Sequence, residues 1–327
     1  TERVYGPKSC PHDKRDGPAK SLVYIGGAVD LREERRYLPK DKALKYGQRL
    51  DYCLHGRRRM PNGVIVCEYA HFNSLLHRLL HASEMVPLGK AHLFYCRQAL
   101  ALAREVGISK HRKLYSVLIT AQVVKEMRWW RHQLEHADEV GLPLACRHSF
   151  PGSSSESVLV RYSDASRETE DPTQFSGGGA WCVIDDVFYW LRMEWTEEEL
   201  KHSINVLEAH ARDIGGVVFL DLALKLGRKI THTMAFIDNS AAENIAESGK
   251  ASTDMLHELN MRRLNDLQHR GVFETNERVA SVDNDVADDI SRGAFEEALR
   301  FPASCGMKTV ECEIPADIRR LPSLGSK

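Results

Sequence analysis

Four carboxylates, each in its own short frame, run through the second half of this sequence. They are Asp164 in Val-Leu-Val-Arg-Tyr-Ser-Asp-Ala-Ser, Glu208 in Ile-Asn-Val-Leu-Glu-Ala, Asp238 in Met-Ala-Phe-Ile-Asp-Asn-Ser-Ala-Ala, and Asp288 in Asn-Asp-Val-Ala-Asp-Asp-Ile-Ser-Arg. Asp164 and Asp238 sit where an apolar run ends, Glu208 lies inside an amphipathic stretch, and Asp288 opens a helical pattern near the end. Carboxylate oxygens are hard ligands, and four of them gathered from distant segments to one sheet edge suit Mg²⁺. Singly, each has a duller role: a strand-end cap, a solvated helix residue, an N-cap, an acid in a first helical turn. Their joint placement carries the chemistry. Asp289 beside Asp288, and Glu243 one turn after Asp238, are rival ligands.

The segments that must position them read in the order βββαβααβα. Strands over 157–163, 177–184 and 187–194, the last two joined by a tight Asp185-Asp186 turn, predict an antiparallel meander. Thr196 followed by Glu197, Glu198 and Glu199 is an N-cap with an acidic first turn, opening a helix to Asp213. A fourth strand over 231–237, helices over 240–248 and 252–269, a fifth strand over 272–279 and a last helix over 285–299 complete the set. Asp164 then ends the central strand, Asp238 ends its natural neighbour, and all four acids can converge at one edge.

Upstream the grammar differs. A β-hairpin is expected over 21–38, and helices over 41–55, 68–82, 88–106 and 112–136; the second places Phe72, Leu75, Leu76, Leu79 and Leu80 on one face. Gly56-Arg57-Arg58-Arg59 closes the first helix. The Pro/Gly/Ser stretch at 149–156 reads as a linker. It separates a mainly helical region with an N-terminal hairpin, 1–148, from an α/β (α+β) domain with a five-stranded mixed sheet, 157–300, leaving 301–327 as a C-terminal tail.

The charge divides at the same place. Residues 1–150 hold 26 Lys/Arg against 15 Asp/Glu, whereas 151–327 hold 19 against 31. The first half suits a polyanion, and Arg57, Arg58, Arg59 and the basic residues of 110–131 are candidates for phosphate contacts. The acidic half would repel nucleic acid unless divalent cations neutralised it. No apolar run approaches the length of a membrane span, and no signal-peptide core opens the chain, so an intracellular protein of cytoplasm or nucleus is expected. Eight scattered cysteines without a Cys-x-x-Cys pair read as reduced thiols, and Cys10 with His12 lacks the two further ligands that zinc requires.

Residues 156–296 resemble the ribonuclease H family. The carrying residues are Tyr-Ser-Asp164-Ala-Ser, the Gly-rich second strand Gly177-Gly178-Gly179-Ala-Trp181, Glu208 in the first helix, Asp238-Asn-Ser-Ala-Ala after the fourth strand, and Ala-Asp288-x-x-Ser-Arg at the last helix. The frames are similar to the ribonuclease H regions of retrotransposon reverse transcriptases, with the tyrosine-recombinase (DIRS-like) group as one candidate. Tyr24-Ile-Gly-Gly-Ala-Val-Asp30 with Leu38-Pro39 resembles the hairpin after a polymerase palm, and 75–89 resembles thumb helices; Trp129-Trp130 looks like the joint between thumb and nuclease.

The resemblance implies hydrolysis of the RNA strand of RNA/DNA hybrids. Two Mg²⁺ ions, with Mn²⁺ as a substitute, would be held by Asp164, Glu208, Asp238 and Asp288; Asp164 is implied as the shared ligand, and the frame favours Asp288 over Asp289. It also implies that Gly177, Gly178, Gly179 and Asn239 lie against nucleic acid, where 2′-hydroxyls identify RNA. No Tyr-x-Asp-Asp polymerase motif occurs, so polymerisation is expected of an upstream region of a parent polyprotein. The loop 278–284 has no His where many ribonucleases H carry one. Other readings are a catalytically silent nucleic-acid-binding scaffold and another nuclease or integrase of the same fold. Trp181, Trp190 and Trp195 read as core or sheet-face aromatics.

Overall fold

The computed structural model describes residues 21–24, 27–32, 35–55, 58–60, 65–109, 116–137, 139, 141–143, 158–167, 175–238 and 251–322. The chain divides into two compact units, Thr1–Ser149 and Phe150–Lys327. No helix among the described residues is long and apolar enough to cross a membrane.

In the first unit, β1 (Ser21–Tyr24), β2 (Gly27–Asp30) and β3 (Arg35–Tyr37) run antiparallel. Pro39 accepts the first bonds of α1 (Lys40–His55). Strands β4 (Arg58–Arg59) and β5 (Ile65–Glu68) lead into α2 (Tyr69–Ala82). Then follow α3 (Phe94–Ser109), β6 (Ser116–Leu118), α4 (Ala121–Glu135) and β7 (Gly141–Pro143). The expected hairpin is therefore a four-stranded sheet, closed by β7 on β3, and β4, β5 and β6 form a second small sheet. Arg58 and Arg59 pair with β5 rather than closing a helix. The helix expected over 112–136 starts at Ala121: 116–118 pair with β5, and Thr120 caps α4 by accepting from the Val123 amide at 3.3 Å. Phe72, Leu75, Leu76 and Leu79 are buried as the periodicity requires, against Met127 and Trp130 in one core.

That core hides one acid. Glu126 of α4 accepts from the amides of Tyr95 and Cys96 at 3.0 and 2.9 Å, satisfying the first turn of α3. Burial raises its carboxyl to about 7, against the pull of those amide bonds.

The second unit opens with β8 (Val158–Ala165), β9 (Gly177–Ile184) and β10 (Val187–Glu194), the expected meander. Asp185 and Asp186 make its tight turn with φ of 54° and 59°, the doubly left-handed pair of a two-residue hairpin. After a short 3₁₀ turn at 199–201 come α5 (Ile204–Lys225), β11 (His232–Ile237), α6 (Asp254–Arg270), β12 (Phe273–Arg278), α7 (Asp285–Ser291), α8 (Phe295–Ala298), α9 (Arg300–Ser304), β13 (Lys308–Glu311) and α10 (Ala316–Arg319). The helix expected over 240–248 lies outside the described residues.

The sheet is mixed, in the order β12-β11-β8-β9-β10-β13, with β8, β11 and β12 parallel and the meander antiparallel. The mixed α/β class is as expected, but the sheet has six strands rather than five. The segment 301–327 is no simple tail: β13 pairs parallel with β10, and Arg319 reaches back to the Glu194 carbonyl at 2.6 Å and to the Glu199 carboxylate.

Thr196 and Glu199 form the reciprocal capping pair their spacing suggests, the Thr196 amide reaching Glu199 Oε2 at 2.8 Å and the Glu199 amide reaching Thr196 Oγ1 at 3.3 Å. They cap only a 3₁₀ turn; α5 begins later and runs twelve residues past Asp213. Gly215 and Gly216 do not break it. A Cβ on Gly215 would meet Ala180 Cβ at 2.8 Å, and one on Gly216 would meet the Arg161 guanidinium at 3.0 Å, so these positions let the helix close on the sheet.

Beneath α5 lies a buried ionic cluster. Glu274 of β12 receives Arg161 of β8 at 2.5 Å and Arg263 of α6, while Arg212 donates to Asp213 at 2.8 Å. Arg161 also donates to the Arg212 carbonyl at 2.7 Å, joining strand to helix. Burial alone would raise the Glu274 carboxyl, but Arg263, Arg161 and Arg212 hold it down at about 2.

Candidate active site

Asp164 ends β8 in the middle of the sheet, with 6% of its surface exposed. Its Oδ2 lies 2.7 Å from Ser291 Oγ, on the last turn of α7. The same helix carries Asp288, one turn earlier. Two further bonds fix α7 against β8: Asn284 Nδ2 donates to the Ser163 carbonyl at 3.2 Å, and Ser166 Oγ donates to the Ser291 carbonyl at 2.5 Å. Ser166 is itself held, its carbonyl accepting from Trp195 Nε1 at 3.0 Å and its Oγ from the Gly177 amide at 3.2 Å.

Asp164, Glu208, Asp238 and Asp288 line one cleft of about 610 Å³, together with Ala165, Ser166, Arg167, Ser203, Ile204 and Arg292. Each acid arrives from a different element: the end of β8, the second turn of α5, the residue after β11, and α7. Asp238 accepts from Ser281 Oγ at 3.1 Å, and Asp288 from Arg292 Nε at 2.8 Å. Asp289 is not among the lining residues; burial and the charges of Asp288, Asp285 and Glu297 raise its carboxyl on the neighbouring side of the helix. Glu243 and Asn239 lie outside the described residues, as does Arg57. Arg58 is exposed in the first unit; Arg59 lies in β4 beside it.

The electrostatics follow from the crowding. Burial raises the Asp164 carboxyl to about 7, Asp238 and Asp288 push it the same way, and the bond from Ser291 opposes them. A divalent cation would reverse that balance by pairing with several carboxylates at once. Four hard oxygen donors around one open cleft, without a thiol or imidazole among the lining residues, fit Mg²⁺ or Mn²⁺ rather than a softer metal. A second cleft of equal volume, lined by Arg192, Glu311, Glu313 and Arg319 among others, mixes both signs of charge and lacks such convergence.

Gly177, Gly178 and Gly179 are buried, and each is needed for packing. A Cβ on Gly179 would lie 2.7 Å from Ile290 Cβ and 2.8 Å from the Ala287 carbonyl, so its absence lets α7 lie directly on β9 opposite Asp164. Trp190 and Trp195 are buried, and Trp181 stacks on Tyr162 with ring centroids 4.3 Å apart, all as core or sheet-face aromatics. His257 is buried in α6.

Sequence reasoning passed over Ser166, Arg167, Ser203, Ser291 and Arg292. Ser291 and Arg292 stood in the quoted Asp-x-x-Ser-Arg frame, whose i+3 and i+4 spacing already places them on the same helix face as Asp288.

No family model matches the sequence, and no curated protein does. The chain is similar over part of its length to solved ribonucleases H. The RNase H1 of the halophilic archaeon Halobacterium salinarum NRC-1 shares 15% identity over 44% of this chain and 98% of that one, with a TM-score of 0.31. LC11-RNase H1, solved with an RNA/DNA hybrid, shares 16% over 43% and 99%, with a TM-score of 0.33. The foamy viral protease-reverse transcriptase, also solved with an RNA/DNA hybrid, shares 12% over 79% of this chain but 29% of its own length, with a TM-score of 0.30.

Proposed function

We propose that the second unit is a metal-dependent phosphodiester hydrolase that cuts the RNA strand of RNA/DNA hybrids, as the nuclease part of a retroelement reverse transcriptase. The observation that carries this reading is the convergence of Asp164, Glu208, Asp238 and Asp288 from four elements on one cleft. These carboxylates would hold two Mg²⁺ ions, for which Mn²⁺ can substitute. Such a pair of ions supplies an activated water and stabilises charge on the attacking and leaving oxygens.

The chain's own residues do the positioning. Ser291 orients Asp164 through Oδ2, and α7 ties the orientation of Asp164 to that of Asp288. Arg292, 2.8 Å from Asp288, holds that carboxylate at the cleft and brings a guanidinium suited to a phosphate oxygen. Arg167, anchored by donation to the His202 carbonyl at 3.0 Å, brings a second. The basic first half, +11 over residues 1–150, suits a nucleic acid backbone. In this reading polymerisation belongs to an upstream region of a parent polyprotein, in an intracellular setting consistent with buried free thiols at Cys53, Cys67, Cys96 and Cys182.

The test is hydrolysis of a labelled RNA/DNA hybrid with Mg²⁺, comparing the chain with its Asp164→Asn and Asp238→Asn variants. Cleavage by the parent alone, leaving 3′-hydroxyl and 5′-phosphate ends, is the expected result. Equal cleavage by all three sinks the assignment. Hybrid binding without cleavage by any of them favours a silent scaffold, and cleavage of double-stranded DNA in preference to hybrid favours another nuclease of the same fold.

A further inference from the structure

The last turn of α4 carries chemistry that the cleavage reading does not use. His132, Glu135 and His136 are spaced i, i+3 and i+4, which brings three side chains to one helix face. One ligand atom from each lies within 4.8 Å of the others, and the two imidazole rings are tilted at 53° with centroids 4.5 Å apart. We propose that these three residues bind a divalent transition-metal ion of the Zn²⁺ class.

Three details support a binding site over an accidental cluster. His136 Nδ1 lies 2.9 Å from the His132 carbonyl oxygen, which can only accept, so the ring donates from Nδ1 and leaves the lone pair of Nε2 for a ligand. A second imidazole nitrogen fixed by a backbone carbonyl is the usual support of a metal-binding histidine. Glu135 is held through Oε1 by Arg131 Nη1 at 3.0 Å, which fixes its carboxylate beside the rings. The guanidinium is balanced in turn by Asp51, which accepts from Arg131 Nε at 2.8 Å. The helix C-terminus adds a partial negative charge that favours a cation.

Two imidazoles and a carboxylate form a donor set that takes Zn²⁺, with the remaining position open to water. Tetrahedral bonds of about 2.0–2.1 Å set ligand atoms roughly 3.4 Å apart, a spacing that side chains already within 4.8 Å of one another reach by small rotations. His132 and Glu135 are exposed and can do so. Imidazole disfavours Mg²⁺, which distinguishes this site from the all-carboxylate cleft of the second unit. Because its ligands belong to the other unit, the proposal stands or falls independently of the cleavage reading.

The test is calorimetric titration of the full chain with ZnCl₂ in a large excess of Mg²⁺, which fills the carboxylate cleft, against a His132→Ala/His136→Ala variant and against Glu135→Gln. The parent should bind one Zn²⁺ equivalent more than the double variant, with micromolar affinity, and Glu135→Gln should weaken that equivalent by about tenfold. Exposed Cys305 and other thiols contribute equally to all three proteins and cancel in the difference. The parent's melting temperature should rise with Zn²⁺ and the double variant's should not, while their metal-free values agree. Equal stoichiometry in parent and double variant overturns the site, and an unchanged Glu135→Gln overturns the three-ligand assignment.

Discussion

Ser291 Oγ stands 2.7 Å from Asp164 Oδ2 although 127 positions separate the two residues in the chain. The contact joins α7 of the second unit to its central strand at the point where two of the four acids meet. The hydroxyl has one proton and two acceptors in reach, Asp164 Oδ2 and the Asp288 carbonyl at 2.9 Å, so it can follow the charge of the carboxylate.

Replacing Ser291 by Ala should therefore slow single-turnover cleavage of an RNA/DNA hybrid by about ten- to a hundredfold, with hybrid affinity unchanged. A loss of affinity with no change in the cleavage step would refute a positioning role.

Asp164→Asn should abolish cleavage and yet stabilise the protein in the absence of divalent cations. The substitution removes a buried charge that burial, Asp238 and Asp288 all disfavour, and it keeps an acceptor for Ser291. A gain of about 1 kcal/mol is expected from urea unfolding in EDTA. A variant less stable than the parent would mean that the acid is a structural group first.

The first unit should show a pH dependence that Glu126 controls. Its folded value of about 7 lies above the ordinary 4.5, so its contribution is complete below pH 4.5 and is lost as the pH rises through 7. Up to about 3 kcal/mol of stability should disappear across that interval. Glu126→Gln keeps one acceptor for the Tyr95 and Cys96 amides and should flatten the dependence; identical slopes for parent and variant between pH 5 and 8 would exclude Glu126 as its source.

Glu274→Gln should cost the second unit about 3–5 kcal/mol, because it strands the buried charges of Arg161 and Arg263. Since the folded carboxyl lies near 2, the native pair contributes fully above pH 4.5 and fades only as the pH falls from there toward 2. Denaturant midpoints at pH 7 measure the cost; a change below about 1 kcal/mol would mean that solvent reaches the cluster.

Two acids of the candidate site were legible because they stand where apolar strands stop: Asp164 after Val158–Ser163, Asp238 after Thr233–Ile237. Its supports were less so. Nothing local in Asp-x-x-Ser-Arg says that Ser291 reaches another element rather than water. Arg161, Arg212, Arg263 and Glu274 are residue types that normally remain at the surface, so a charged cluster beneath a helix leaves no trace in hydropathy. Strands β4, β6 and β7 have two or three residues, too short for an alternating pattern to register. The helix expected to end at Asp213 runs on to Lys225, and the proximity of Ala180 and Arg161 explains why glycines stand at 215 and 216 within it.

The clasp made by β13 and Arg319 has a practical side. Four residues of β13 cover the outer backbone of β10, with the Cys312 amide adding a bond to the Trp190 carbonyl at 2.7 Å. Ending the polypeptide at residue 300 would keep every acid of the cleft but bare a hydrophobic strand carrying Phe188, Trp190 and Leu191, an invitation to edge-to-edge association between molecules. A second unit that extends to Arg320 keeps that edge paired and keeps the Arg319 bonds to Glu194 and Glu199, so it is expected to associate less than one ending at residue 300.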